Sequence, residues 1–259
     1  ATVQTTEGWS MLSTTERDVA AAGHLDVRTR AALAEAWGAD AAMEHASIAS
    51  FQRFGLELLR FGAPSGLCAD AARAALDEVD HAERTFGLAS MLAGAPRGPG
   101  PLDLGTQITL AADLEQAVVL TVAEGCVGET FAAALADAAA RVATTATARD
   151  TLVVIAGDET RHAELAWRFV RWALDRDPSI AEAAKTAFAQ ALAALPETQM
   201  PAAIDAGAWQ GWGRLTPRHQ RRVVDATVRD VIAPCVRALL GDAAADALPT
   251  TSIAVVARA

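Results

Sequence analysis

Two seven-residue strings in this chain are copies of one motif. Asp77-Glu78-Val79-Asp80-His81-Ala82-Glu83 and Asp158-Glu159-Thr160-Arg161-His162-Ala163-Glu164 both read D-E-x-x-H-A-E, and they stand 81 positions apart. A second pair recurs at nearly the same interval, since Glu44 with Phe51 is answered by Glu124 with Phe131, 80 positions on. The chain has only five histidines in 259 residues, so a duplicated Glu-x-x-His framed by the same neighbours is a constraint on the fold. It predicts two copies of one helical hairpin, packed so that the motifs face each other.

Helix geometry explains the spacing. Residues i and i+3 share a face, so Glu78 with His81, and Glu159 with His162, can each offer an oxygen and a nitrogen to one metal ion. A lone carboxylate is costly inside an apolar bundle and needs a paired charge or a metal to compensate it. Glu44, Glu78, His81, Glu124, Glu159 and His162 together make a ligand set for two cations. A mixed carboxylate and imidazole set without thiolate suits iron or manganese. Two iron ions are the expectation, with mixed iron–manganese or two manganese ions as alternatives.

The rest of the chain supplies the helices. Alanine is abundant, tyrosine is absent, and aromatic residues make up 5% of the chain, a composition that favours packed helices over sheets. Apolar positions recur at helical spacing from Arg30 to Phe61 and stop at Gly62-Ala63-Pro64. A second helix is expected from about Gly66 to Leu92, a third from about Thr109 to Arg141, and a fourth from about Arg149 to Leu174. The breaker-rich stretch after Leu92 is the long crossover between helices two and three. Residues 1–28 read as a polar leader, with a short helix capped by Ser13 or Thr14. Residues 29–175 read as the bundle and 176–259 as an all-helical appendage, irregular through Trp209 and Trp212, with a last helix opened by Thr216-Pro217 and kinked at Pro234.

With these motifs in place, the sequence resembles the ferritin-like di-iron carboxylate superfamily over about residues 30–175. That superfamily includes rubrerythrins, the radical-generating subunit of class I ribonucleotide reductase and bacterial multicomponent monooxygenases. Asp158-Glu159-Thr160-Arg161-His162 is similar to the D-E-x-R-H string of the reductase and monooxygenase branch. The resemblance implies an all-α, ferritin-like four-helix bundle with additional C-terminal helices. It also implies Asp77, Asp158 and Arg161 around the metal ligands, because a ligating imidazole is oriented by whatever accepts its other N–H. Three departures narrow the function. Without tyrosine there is no tyrosyl radical, no four-cysteine iron site is present, and a histidine in both half-sites leans away from iron storage.

The resemblance implies a non-haem di-iron oxidoreductase that uses dioxygen as co-substrate to oxidise a small organic molecule, with electrons from a reductase or ferredoxin. The alternatives are a ferroxidase or peroxide-scavenging rubrerythrin-like protein, and a helical interaction protein with a structural metal site. A net charge of −10 argues against nucleic acid as a partner. No window approaches 18 uninterrupted apolar residues, so no membrane span is expected. The amino terminus lacks the basic start and apolar stretch of a signal peptide, and Cys68, Cys126 and Cys235 form no CxxC pair. Both point to a cytoplasmic protein with reduced thiols, and a homodimer is compatible with everything above.

One carboxylate stands outside the repeat. Glu129 lies in Glu124-Gly125-Cys126-Val127-Gly128-Glu129, where two glycines each cost a helix about 1 kcal/mol relative to alanine. In a regular helix Glu129 points about 140° from Glu124. A π-bulge would bring the two together. The repeat register therefore makes Glu124 the ligand and gives Glu129 a catalytic place beside the metals. His45, next to Glu44, is expected to point off the metal face.

Overall fold

A computed structural model describes residues 3–4, 9, 16–104, 109–194, 200–202 and 204–249. Among these the regular structure is helical apart from a two-residue antiparallel ladder, Val3–Gln4 on Gly98–Pro99. A short helix α1, Glu16–Gly23, leads in, and the cap expected at Ser13 or Thr14 lies outside the described residues.

Four long helices follow, and local chemistry sets their ends. Helix α2, Val27–Phe61, opens on Asp26, whose carboxylate accepts from the Thr29 backbone N–H at 3.0 Å, and closes on Gly62 at φ 67. That left-handed conformation costs glycine little, and it lets the chain turn sharply into α3, Ser65–Ala93. Helix α4, Leu114–Val142, is capped by Asp113, which accepts from Gln116 N at 2.8 Å. The helix therefore starts several residues after the expected Thr109, because the Asp113 side chain caps it there. Helix α5 spans Ala146–Arg176.

The regular part of α4 is interrupted by a π turn over Val122–Glu129. Gly125 explains how it is tolerated. A Cβ at this position would stand 2.4 Å from the Ala166 Cβ, so only glycine allows α4 to approach α5 so closely.

Helices α2 and α3 pack along their lengths, α4 packs on α5, and α3 crosses to α5. Short connections join α2 to α3 and α4 to α5, while the long one runs between α3 and α4. Leu33, Trp37, Leu58, Phe86, Leu88 and Phe169 are fully buried between them. By length and composition alone α4 could cross a membrane. The count of uninterrupted apolar residues does not register it, because Glu124 and Glu129 break the run. Its apolar side chains Val122, Cys126, Val127 and Phe131 join the core formed with α5.

The C-terminal region continues that core. It holds α6, Ala181–Ala193; α7, Ala206–Gly211; α8, Pro217–Thr227, which runs through a π turn, Val228–Ile232, into Ala233–Leu240; and α9, Asp242–Asp246. Phe188 stacks on Trp167 of α5 with centroids 5.2 Å apart, and Ile232 and Val236 are buried in the same cluster. The segment expected to be irregular at Trp209 forms the short α7 because Asp205 caps it, accepting from Ala208 N at 2.8 Å. The disturbance expected at Pro234 is the π turn immediately before it. The proline N–H is missing and its ring crowds the preceding turn, and a wider turn relieves both.

Candidate metal centre

The two D-E-x-x-H motifs sit in α3 and α5 and meet in the interior. Glu78, His81, Glu159 and His162 are each 3% exposed or less, although glutamate is rarely found inside without a compensating partner. Glu44 of α2 reaches the same place, and one ligand atom each from Glu44, Glu78, His81 and Glu159 lie within 4.8 Å of one another. A second group, of three residues, is formed by Glu129, Glu159 and His162, with Glu159 common to both.

The histidines are oriented by crossed hydrogen bonds. His81 Nε2 lies 3.0 Å from Asp158, and His162 Nε2 lies 3.2 Å from Asp77, so each motif's aspartate holds the other motif's imidazole. Arg161 donates to both Asp158 and Asp77 and ties the two together. With Nε2 engaged outward, each ring turns Nδ1 toward the cluster. His162 Nδ1 is 3.1 Å from Glu159 and 3.2 Å from Glu78. His81 Nδ1 is 3.6 to 3.8 Å from Glu159, Glu44 and Glu78, too far for hydrogen bonds, and both it and Glu78 Oε2 are buried without a hydrogen-bond partner.

That spacing fits a cation. Ligand atoms each about 2 Å from one ion stand roughly 3–4 Å apart, longer than a hydrogen bond between them would be. Electrostatics point the same way. Burial, reinforced by Glu159, Glu44 and Glu129, pushes the Glu78 carboxyl up to about 9 against the pull of His162. Burial also raises Glu129 well above the usual carboxylate range, and Glu159 is raised for the same reason. His81 is shifted by burial downward, but the Glu44 carboxylate, with Glu159 and Asp158, overrides this and lifts it to about 9. Protein alone thus holds this cluster together with protons, whereas two divalent cations would neutralise four carboxylates directly.

The structure departs from the sequence register at one ligand. Glu124 is outside the cluster. It accepts from Arg53 of α2, and its side chain is half exposed. Glu129 stands where Glu124 was expected, among the ligand atoms. The cause is the π turn. Its i→i+5 bonding inserts one residue into the register, so everything after it rotates, and the match of Glu124 to Glu44 no longer specifies a direction. Glu129 is accordingly one of the residues that could hold a metal, where the sequence reading gave it a catalytic place beside the metals. The two glycines, one of them at the α5 contact, were the visible sign.

Other expectations concern the surroundings. His45 points off the cluster and meets Trp9 edge-on at 5.1 Å. Phe51 packs edge-on against His162 at 4.8 Å. Arg53 was missed. The signal available was a break in the repeat, since the counterpart of Arg53 at the same offset is Ala133.

Two cavities open on the cluster. One of about 400 Å³ is lined by Glu129, Glu159 and His162, together with Phe51, Phe54 and Arg53. The other, about 1120 Å³, lies between the bundle and the C-terminal helices, with Glu44 and Glu159 in its wall. No protein-family model, curated protein or solved structure matches this chain. What the site does is therefore argued from its own geometry.

Proposed function

We propose that this chain is a ferritin-like di-metal carboxylate oxidoreductase that holds two iron ions and uses dioxygen to oxidise a small organic substrate. The observation that carries the reading is the pair of buried imidazoles turned to face four glutamates, each fixed from behind by an aspartate of the other motif. In this reading Glu44, Glu78, His81 and Glu159 would hold one ion, and Glu129, Glu159 and His162 would hold the other. Iron bound there would supply the redox chemistry toward dioxygen.

The protein's own part is positional and electrostatic. Asp77 and Asp158 keep the proton on Nε2 of His162 and His81, leaving Nδ1 as the lone-pair donor, and Arg161 donates to both aspartates and fixes their positions. Thr85 donates its hydroxyl to the His81 carbonyl at 2.7 Å, which steadies the turn of α3 that carries the ligand. Phe51 and the apolar cavity walls exclude bulk water from the reacting atoms. Cavities of this size beside the cluster favour an organic substrate over iron storage, since a cavity of about 300–1,000 Å³ is what a small molecule needs.

Oxygen uptake tests the proposal. Reduced, iron-loaded protein is expected to consume dioxygen in proportion to its iron, and His81→Ala is expected to abolish this. Rapid multi-turnover oxidation of excess ferrous iron with mineral formation supports the ferroxidase alternative instead.

A further inference from the structure

We infer that Arg53 and the smaller cavity form a binding site for a small organic carboxylate, whose apolar body lies against Phe51, Phe54 and Leu165 beside the metal ligands. The inference deepens the oxidoreductase reading by naming a substrate class. It rests on that reading only for what becomes of the bound acid, since binding itself needs no metal.

Among the described residues lining this cavity Arg53 is the one Lys or Arg, and the other ionisable groups there are His162 and the carboxyls of Asp40, Glu44, Glu124, Glu129 and Glu159. Asp40 is already paired with Arg214, and the three cluster glutamates are compensated by metal in the reading above. That leaves Arg53 and Glu124. They are unequal partners, because the Arg53 side chain is 11% exposed and that of Glu124 is 50% exposed. The carboxylate can move into water at little cost, whereas the guanidinium stays in the wall.

The pairing is also incomplete. Glu124 takes only Nη2, and Nε, on the same edge of the guanidinium fork, is buried without a hydrogen-bond partner. A planar fork is satisfied by a carboxylate that takes two N–H groups at once. A substrate carboxylate arriving through the cavity can accept from both Nε and Nη2 as Glu124 swings out, so Glu124 acts as an occupant that the substrate displaces. The cavity volume of about 400 Å³ accommodates an acid the size of a benzoate.

The test is calorimetric titration of benzoate, benzamide and benzylamine into metal-loaded and chelator-treated protein, for the wild type, Arg53→Met and Glu124→Gln. Metal content is measured alongside. Benzoate is expected to bind, to weaken tenfold or more in Arg53→Met, and to tighten several-fold in Glu124→Gln, where the internal competitor has lost its charge. Benzamide is expected to respond to neither variant. Absence of benzoate binding, or unchanged affinity in Arg53→Met, overturns the site. So does benzoate binding that survives Arg53→Met and vanishes on chelation, which places the acid on the metals, or benzylamine binding that Glu124→Gln abolishes. Arg53-dependent benzoate binding by a protein that retains no metal supports the carboxylate site while removing the oxidoreductase reading.

Discussion

Exchanging the two helix α4 glutamates for glutamine separates the ligand from its neighbour. Glu124 is half exposed and bonded to one arginine, so its loss is that of a surface ion pair, worth up to about 1 kcal/mol. Glu124→Gln should keep its full metal content and melt within a few degrees of the wild type. Glu129 is half-buried, sits within the cluster, and is one of four crowded carboxylates. Loss of a residue that merely orients a ligand weakens metal binding about 10–100-fold, and loss of the ligand itself should exceed that, so about 3 kcal/mol or more of metal affinity is expected to disappear. Without metal the effect reverses. Burial and Glu159 both disfavour a charged Glu129, so a neutral glutamine of the same shape should raise the melting temperature of chelator-treated protein. The assay is metal analysis after dialysis at limiting metal, with calorimetric melts in the presence and absence of chelator. If Glu124→Gln empties the site while Glu129→Gln retains metal, the role assigned to the π turn is wrong.

Gly125→Ala gains about 1 kcal/mol of helix propensity but forces a methyl to within 2.4 Å of the Ala166 Cβ, an overpacking that costs about 1–3 kcal/mol. Net destabilisation with weaker metal binding is expected in thermal melts, and a stabilised variant with full metal would show that the α4–α5 approach is not tight. Chelator-treated protein should lose stability as pH rises. Glu78 and His81 both bind a proton more tightly folded than unfolded, so the stability they contribute is complete below about 4.5 and about 6.5 respectively and is lost as pH climbs through about 9. Melting temperatures of the chelated protein that increase between pH 6 and 9 would contradict this. Asp158→Asn should free His81 Nε2 from its charged acceptor and weaken metal binding about 10–100-fold, measured by competition with a chromophoric chelator, and unchanged affinity would remove the orienting role.

Much of this architecture is legible from local signals whose physics acts over a few residues. The D-E-x-x-H pair foretold a shared interior because i, i+3 spacing specifies a face in any regular helix, and α3 and α5 are regular across their motifs. Gly62 and Gly94 end their helices in the left-handed conformation that glycine adopts most readily. What a periodic reading could not carry was the direction of Glu129. Counting by 3.6 residues assumes an unbroken helix, and one inserted residue redirects every later side chain in α4. The Arg53–Glu124 pair was hidden for a different reason. It joins residues 71 positions apart on two different helices, and nothing in their spacing marks that contact.

The central claim is that this cluster binds two metal ions, and metal stoichiometry tests it most directly. Protein reconstituted anaerobically with ferrous iron and then desalted should carry two iron ions per chain by elemental analysis. Replacing both His81 and His162 with alanine should release them. Retention of one ion or none by the wild type, or two by the double variant, would contradict the account.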